Sequence, residues 1–206
     1  MKPKLVIYGA GDNGGRFAFE YRELKKYPDF ELVGFVDDFK RGEFAGFPIL
    51  GTGKDLPHLK DNGIDQIMVS LFKDPVSRLE KCLEIEDMGF DFPSITPPVP
   101  EETYLGKGVF IHKTAVLLGL DIHLGDFSVL GPHTTVEGRT RIGKGVILAP
   151  YAFVGHDSTI GDATFLYPRS SCLPGKIIGK ACKVYPHVLV HKDLADGKVK
   201  VNNLEK

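Results

Sequence analysis

Twelve positions spaced six residues apart, Leu124, Leu130, Val136, Ile142, Leu148, Val154, Ile160, Leu166, Cys172, Ile178, Val184 and Val190, all carry an aliphatic side chain or a cysteine. A run this regular is the mark of an internal repeat. Four residues after the first eleven of these stands a small or compact residue: Ser128, Thr134, Thr140, Val146, Ala152, Ser158, Thr164, Ser170, Cys182 and Val188, with Lys176 breaking the series. The large side chain suits the inside of a narrow prism, and the small one suits a corner where the chain turns. Glycine follows the aliphatic at Gly125, Gly143, Gly161 and Gly179, every eighteen residues. Three hexads therefore make one coil, and successive coils stack at strand spacing, about 4.8 Å. The predicted architecture is a parallel β-helix of six-residue repeats.

The pattern begins earlier, one residue out of phase, at Leu105, Ile111 and Leu117. One extra residue near Leu118 to Leu120 restores the register and is expected to bulge from a corner. The coils are expected over 105–191, with a tail at 192–206.

Before residue 92 the six-residue period is absent and strands alternate with helices. Leu5-Val6-Ile7-Tyr8 runs into Gly9-Ala10-Gly11-Asp12-Asn13-Gly14, and Phe17, Tyr21 and Leu24 follow at helical spacing, with Lys25-Lys26 near the helix end and Pro28 beyond. Leu32 to Val36 ends in Asp37-Asp38; Phe47 to Gly51 reads as a short additional strand, and Ile67 to Ser70 as another. A helix is expected from Pro75 to Met88 with Val76, Leu79 and Leu83 inward. This alternation predicts a small α/β, Rossmann-like domain over 1–92 with a parallel sheet, about half the size of a full dinucleotide-binding domain. A proline-rich connector follows at 93–104.

The Gly9-x-Gly11-x-x-Gly14 motif follows a strand and opens a helix, the context that gives it meaning. Its glycines permit a tight turn, and the helix amides behind Asp12 and Asn13 favour a phosphate. Asp37, with Asp38 beside it, ends the next strand, where a carboxylate accepts hydrogen bonds from a ribose or base. The motif does not separate NAD from a nucleotide-sugar; the half-sized domain favours the smaller ligand. A turn that serves packing alone is the rival reading.

Composition narrows the partners. The formal net charge is −1 and 42% of residues are hydrophobic, with no basic block, so neither nucleic acid nor a membrane surface is expected. The N-terminus carries no apolar run long enough for a signal peptide or a span, which predicts a cytoplasmic protein. Cys82, Cys172 and Cys182 read as packing residues.

Taken together, the glycine-rich βαβ domain, the Gly34-Phe35-Val36-Asp37-Asp38 and Gly46-Phe47-Pro48-Ile49-Leu50-Gly51 segments, and Val154-Gly155-His156-Asp157-Ser158-Thr159-Ile160-Gly161-Asp162 resemble one family. It is the hexapeptide-repeat sugar acyltransferases, typified by the amino-sugar N-acetyltransferase of bacillosamine synthesis and the sialic acid O-acetyltransferases. The resemblance covers nearly the whole chain and implies a left-handed β-helix. It implies His156 as general base with Asp157 orienting its imidazole, and a nucleotide-linked amino sugar held by Gly9, Gly11, Asp12, Asn13, Gly14, Asp37 and Asp38. It further implies acetyl-CoA as co-substrate along the prism, between subunits of a homotrimer, and no metal.

The chain departs from the family pattern where CoA is expected. Phe165 stands where a second histidine is common, and Pro174 where a glycine presents its amide to the thioester; a one-residue shift would make Gly175 the donor. The C-terminal CoA-binding segment appears only as Val199-Lys200-Val201-Asn202-Asn203. Lys180, with Lys176, Lys183 and Lys192, reads either as a contact for CoA phosphates or as a solvated face. His112, His123, His133, His187 and His191 also fall on the coils, but no trio has metal-ligand spacing. Two alternatives stay open: a catalytically lapsed, trimeric nucleotide-sugar-binding or scaffolding relative, and an O-acetyltransferase acting on a sugar hydroxyl.

Overall fold

The computed structural model describes residues 2–24 and 29–202. Lys25, Lys26 and Pro28 at the expected helix end, and Asn203 of the tail, lie outside the described residues. The chain divides into two compact units, Met1–Asp74 with Glu80–Pro93, and Pro75–Leu79 with Ser94–Lys206.

The first unit is built on β1 (Lys4–Tyr8), α1 (Asp12–Leu24), β2 (Glu31–Val36), β3 (Glu43–Phe44), β4 (Phe47–Gly51), α2 (Leu56–Asp61) and β5 (Gln66–Val69), together with the later part of α3 (Pro75–Asp87), whose first residues, Pro75–Leu79, belong to the second unit. Sheet order is β3-β4-β2-β1-β5. The pairings β1–β2, β1–β5 and β2–β4 are parallel, while β3–β4 is an antiparallel hairpin. The sheet is thus mixed at its edge, where the sequence led us to expect parallel strands only. At two residues, β3 is too short to leave a hydrophobic period. Leu5, Val6 and Ile7 are fully buried, as a central strand covered on both faces requires.

In α3 the inward stripe differs from expectation. Pro75, Arg78, Cys82 and Ile85 are buried, whereas Leu83 is 41% exposed. Adjacent helix positions stand about 100° apart. Leu83 therefore faces away when Cys82 faces in, although both belong to stripes of correct helical spacing.

The second unit is a left-handed parallel β-helix. Among its described residues, two- and three-residue strands stack into sheets of six, five and five. Partners lie one coil apart: Val129 opposite Ile147, Val136 opposite Val154, and Ile142 opposite Ile160. All twelve hexad positions are buried, from Leu124 to Val190, and with them every small corner residue except Lys176. Leu117 pairs with Val136, nineteen residues on rather than eighteen. The extra residue therefore falls within 118–121, where Gly119 (φ 102°) and Asp121 (φ 59°) turn the chain. At the far end the coil continues past residue 191, with Leu194 bridged to Ile178 and Val199–Lys200 paired with Lys183–Val184.

The residue just before each small corner residue is left-handed. Phe127, His133, Arg139, Tyr151, Asp157, Ala163, Arg169, Ala181 and His187 have φ between 52° and 63°. Each non-glycine residue there is strained by about 1–2 kcal/mol. Main-chain bonds to the preceding coil hold the geometry: Arg139 N–H donates to Leu120 O at 2.8 Å and Asp157 N–H to Gly138 O at 3.1 Å. The strain places one side chain from each coil on the same prism edge.

Candidate functional site

In the first unit, β1 ends at Tyr8 and the glycine turn begins. Gly9 has φ 108°, and its N–H donates to Val36 O at 2.8 Å. A Cβ at Gly14 would lie 2.4 Å from Gly9 O, whereas one at Gly11 would meet nothing within 4 Å. Gly9 and Gly14 are therefore held by packing, and Gly11 borders open space at the start of α1. Gly11 and Asp12 are exposed and Asn13 is half-buried. Ser70 fixes the turn from beneath, its hydroxyl donating to Gly9 O at 2.8 Å.

Asp37 and Asp38 are engaged by the chain itself. Asp37 Oδ2 accepts the Ala10 N–H at 2.8 Å, and its Oδ1 accepts the Phe39 and Lys40 N–H groups, both at 2.9 Å. Burial pushes the Asp37 carboxyl up, but the Lys40, Phe39 and Ala10 amides outweigh it and hold it below the ordinary value. Asp38 accepts the Tyr8 hydroxyl at 2.6 Å and the Gly53 N–H at 2.9 Å, which lower it in turn. These carboxylates tie the glycine turn to the end of β2. The lone pairs left over are those available to a ligand.

In the second unit, His156 sits at a prism corner beside Asp157. Its Nδ1 lies 2.6 Å from Asp157 Oδ2, and its main-chain N–H donates to Glu137 Oε2 at 2.9 Å. Asp157 is gripped on both oxygens by Arg139, Nε to Oδ1 at 2.5 Å and Nη2 to Oδ2 at 2.7 Å. Arg139 first, and then His156, hold the Asp157 carboxyl well below the usual carboxylate range. An ionised carboxylate only accepts, so Nδ1 is the donor in this contact, and the neutral ring of that tautomer has its lone pair on Nε2. The His156 side chain is 51% exposed. It lines an open cleft of about 370 Å³ together with Leu118, Gly119, Leu120, Glu137, Gly138 and Arg139. A half-exposed imidazole with a free Nε2 at a cleft wall is able to accept a proton from a bound nucleophile.

None of the residues expected to meet CoA, Phe165, Pro174, Gly175 and Lys180, lines the cleft that holds His156. Pro174 has no N–H, and its ring lies over Gly155, where a Cβ would come within 2.7 Å of Pro174 Cδ. Gly175 does have an N–H, but it donates to His156 O at 2.8 Å. Phe165 is only 8% exposed, stacked on Tyr167 at 4.0 Å, and belongs to a different sheet from the strand leading into His156. Lys180 pairs with Asp162 at 3.1 Å and lines a second cleft of about 500 Å³ with Tyr104, His123, Arg141 and Thr159. In that cleft His123 stacks on Tyr104 at 4.2 Å and bonds Asp121 at 2.9 Å.

Sequence reasoning missed Glu137 and Arg139. The signal was available: Arg139 stands eighteen residues before Asp157, one coil below it on the same corner. No group of three or more His, Cys, Asp or Glu side chains converges on a metal position among the described residues. No described helix is long and apolar enough to cross a membrane.

No protein-family model and no curated protein matches the chain. Solved structures do. A histidine-to-asparagine mutant of perosamine N-acetyltransferase from Caulobacter crescentus, in complex with CoA and GDP-perosamine, superposes with a TM-score of 0.86. Identity is 24%, over 95% of this chain and 92% of that one. The acetyltransferase domain of PglB from Neisseria gonorrhoeae gives a TM-score of 0.85 at 21% identity, over 96% of each chain. This chain has their fold. WeeI from Acinetobacter baumannii, at 17% identity and a TM-score of 0.52, covers 100% of this chain.

Proposed function

We propose that this chain transfers an acetyl group from acetyl-CoA to the amine of a nucleotide-linked amino sugar, with His156 as general base. One observation carries the reading. His156 Nδ1 is held at 2.6 Å by a carboxylate that Arg139 keeps ionised and oriented, and the ring lines a cleft at the prism corner. The likeness of fold to the perosamine N-acetyltransferase mutant bound to CoA and GDP-perosamine supports it.

In this mechanism the sugar amine attacks the thioester carbon, and the nitrogen becomes positive as the C–N bond forms. Nε2 of His156 takes its proton, and the adjacent Asp157 carboxylate stabilises the imidazolium. The tetrahedral oxyanion then collapses, the C–S bond breaks, and the imidazolium returns the proton to the departing thiolate. The products are the amide and free CoA, with no covalent enzyme intermediate. The Gly9–Gly14 turn and the N-terminus of α1 take the phosphates, and the free lone pairs of Asp37 and Asp38 take ribose or base donors. The active form is a cytoplasmic homotrimer; a monomer in sedimentation velocity experiments would count against it.

A second reading, a binding protein that has lost the chemistry, is favoured by one pair of facts. Pro174 has no amide to offer a thioester oxygen, and the Gly175 amide is already donated to His156 O. Thiol release from acetyl-CoA, measured against UDP-, dTDP- and GDP-linked amino sugars, separates the two readings. Release with one sugar, abolished in His156→Ala, supports transfer. Silence across the panel, with a nucleotide-sugar still raising the melting temperature and CoA not doing so, supports binding alone.

A further inference from the structure

The fork between Arg139 and Asp157 differs from three other ion pairs of the prism. Lys144–Asp126 and Lys180–Asp162 join through single contacts at 2.8 and 3.1 Å. The closest parallel, Arg141, gives Nη2 to Asp121 Oδ2 at 2.8 Å but spends Nη1 on the Asp121 main-chain oxygen. Asp121 in turn meets His123 through Nε2, at 2.9 Å. At Asp157 one guanidinium holds both carboxylate oxygens while the same carboxylate meets a histidine through Nδ1. The geometry has a backbone cause. Arg139 (φ 55°) and Asp157 (φ 59°) occupy the same left-handed corner position on consecutive coils, so their side chains leave the prism edge side by side.

We propose that Arg139 is a positioning residue for His156: its fork fixes the Asp157 carboxylate and thereby the imidazole tautomer and ring direction. Held on both oxygens, the carboxylate cannot rotate away from Nδ1, which fixes the ring at the wall of the cleft it lines. Glu137 contributes separately by accepting the main-chain N–H of His156, which fixes the backbone and leaves Nδ1 to Asp157. A plain surface staple between coils would do none of this. With the Arg139 and Asp157 side chains 61% and 44% exposed, such a staple would add little stability. The kinetic part of the proposal rests on the acetyltransferase reading; the tautomer part does not.

The test uses the full chain, uniformly ¹⁵N-labelled, with the imidazole nitrogens observed by long-range ¹H–¹⁵N correlation. His156 is assigned by its absence in His156→Ala. Arg139→Asn is the informative variant, because asparagine tolerates the left-handed conformation and lacks the charged fork. Arg139→Lys restores charge but grips through a single point. The wild type is expected to show His156 protonated at Nδ1. Arg139→Asn is expected to move the proton largely to Nε2 while His123 stays unchanged as an internal control. With acetyl-CoA and the accepted sugar, kcat should fall roughly ten- to hundredfold in Arg139→Asn, with both KM values within about twofold. Arg139→Lys should recover part of it. The proposal is overturned if His156 keeps its Nδ1 proton in Arg139→Asn, whether or not kcat falls. A wild type without turnover would remove the acetyltransferase reading, and the spectra would still decide the role of Arg139.

Discussion

Replacing Gly143 by alanine tests the physical basis of the eighteen-residue glycine series. A Cβ at Gly143 would lie 2.6 Å from Asp162 Oδ1 and 2.7 Å from Asp162 N. Main-chain atoms of the next coil cannot swing aside, so the coils must part locally by about 0.7 Å, the shortfall from an ordinary 3.4 Å contact. That parting stretches two bonds across the same gap, Gly143 N–H to Ile160 O at 2.8 Å and Lys144 N–H to Asp162 Oδ1 at 2.9 Å. Losing two hydrogen bonds at about 1 kcal/mol each, with overpacking of about 1–3 kcal/mol, gives about 3–5 kcal/mol. For a chain of this size each kcal/mol lowers Tm by about 2–4 °C, so Gly143→Ala should melt roughly 6–20 °C below wild type. Gly175→Ala is the control, because its Cβ meets nothing within 4 Å and only φ 69° resists it. Its cost should be about 1–2 kcal/mol, or roughly 2–8 °C. Differential scanning calorimetry of both proteins decides the matter. If Gly143→Ala melts no lower than Gly175→Ala, close coil approach is not what the glycine series serves.

Three further outcomes follow from named contacts. Asp37→Asn deprives the three main-chain amides at Asp37 of their carboxylate and should cost about 1–3 kcal/mol, read by urea unfolding of the first unit. Because the folded-state carboxyl is held below its ordinary 3.8, this stabilisation is complete above that value and is lost as pH falls through the lower, folded one. An acid limb of the unfolding curve identical in wild type and Asp37→Asn would contradict the assignment. Leu148→Ala, at a fully buried prism position, should destabilise by about 3–5 kcal/mol, and a loss under 1 kcal/mol would mean that the interior collapses readily. All three cysteines are buried, and burial pushes the Cys172 thiol up to about 11. Native protein at pH 8 should therefore resist a disulfide reagent that titrates three thiols in guanidinium, and a rapidly reacting native thiol would refute that burial.

Much of the prism was legible because a stacked coil repeats its environment every eighteen residues and each environment accepts few side chains. Leu130, Val136 and Leu148 meet the same narrow interior, so their spacing reports the coil directly. Even the inserted residue near Gly119 was visible, since a phase slip in so strict a period has one explanation. The first unit was read less completely. The two-residue β3 carries no period of its own, and α3 has two overlapping helical stripes from which pattern alone cannot choose.

The candidate site divides the same way. His156 and Asp157 were readable as neighbours in a distinctive segment, and the glycine turn as a strand-to-helix junction. The sequence alone therefore determined the coil, its register, its interior and the residues at its corners, because these follow from side-chain size repeated along one dimension. Tertiary structure decided which corner groups are already engaged. Arg139 on Asp157, the Gly175 amide on His156 O, and the Ala10 amide on Asp37 each join groups eighteen or more residues apart. Hydrogen bonds are directional over a few tenths of an ångström. Whether a polar group is spent or free is fixed only when the coils and strands are stacked.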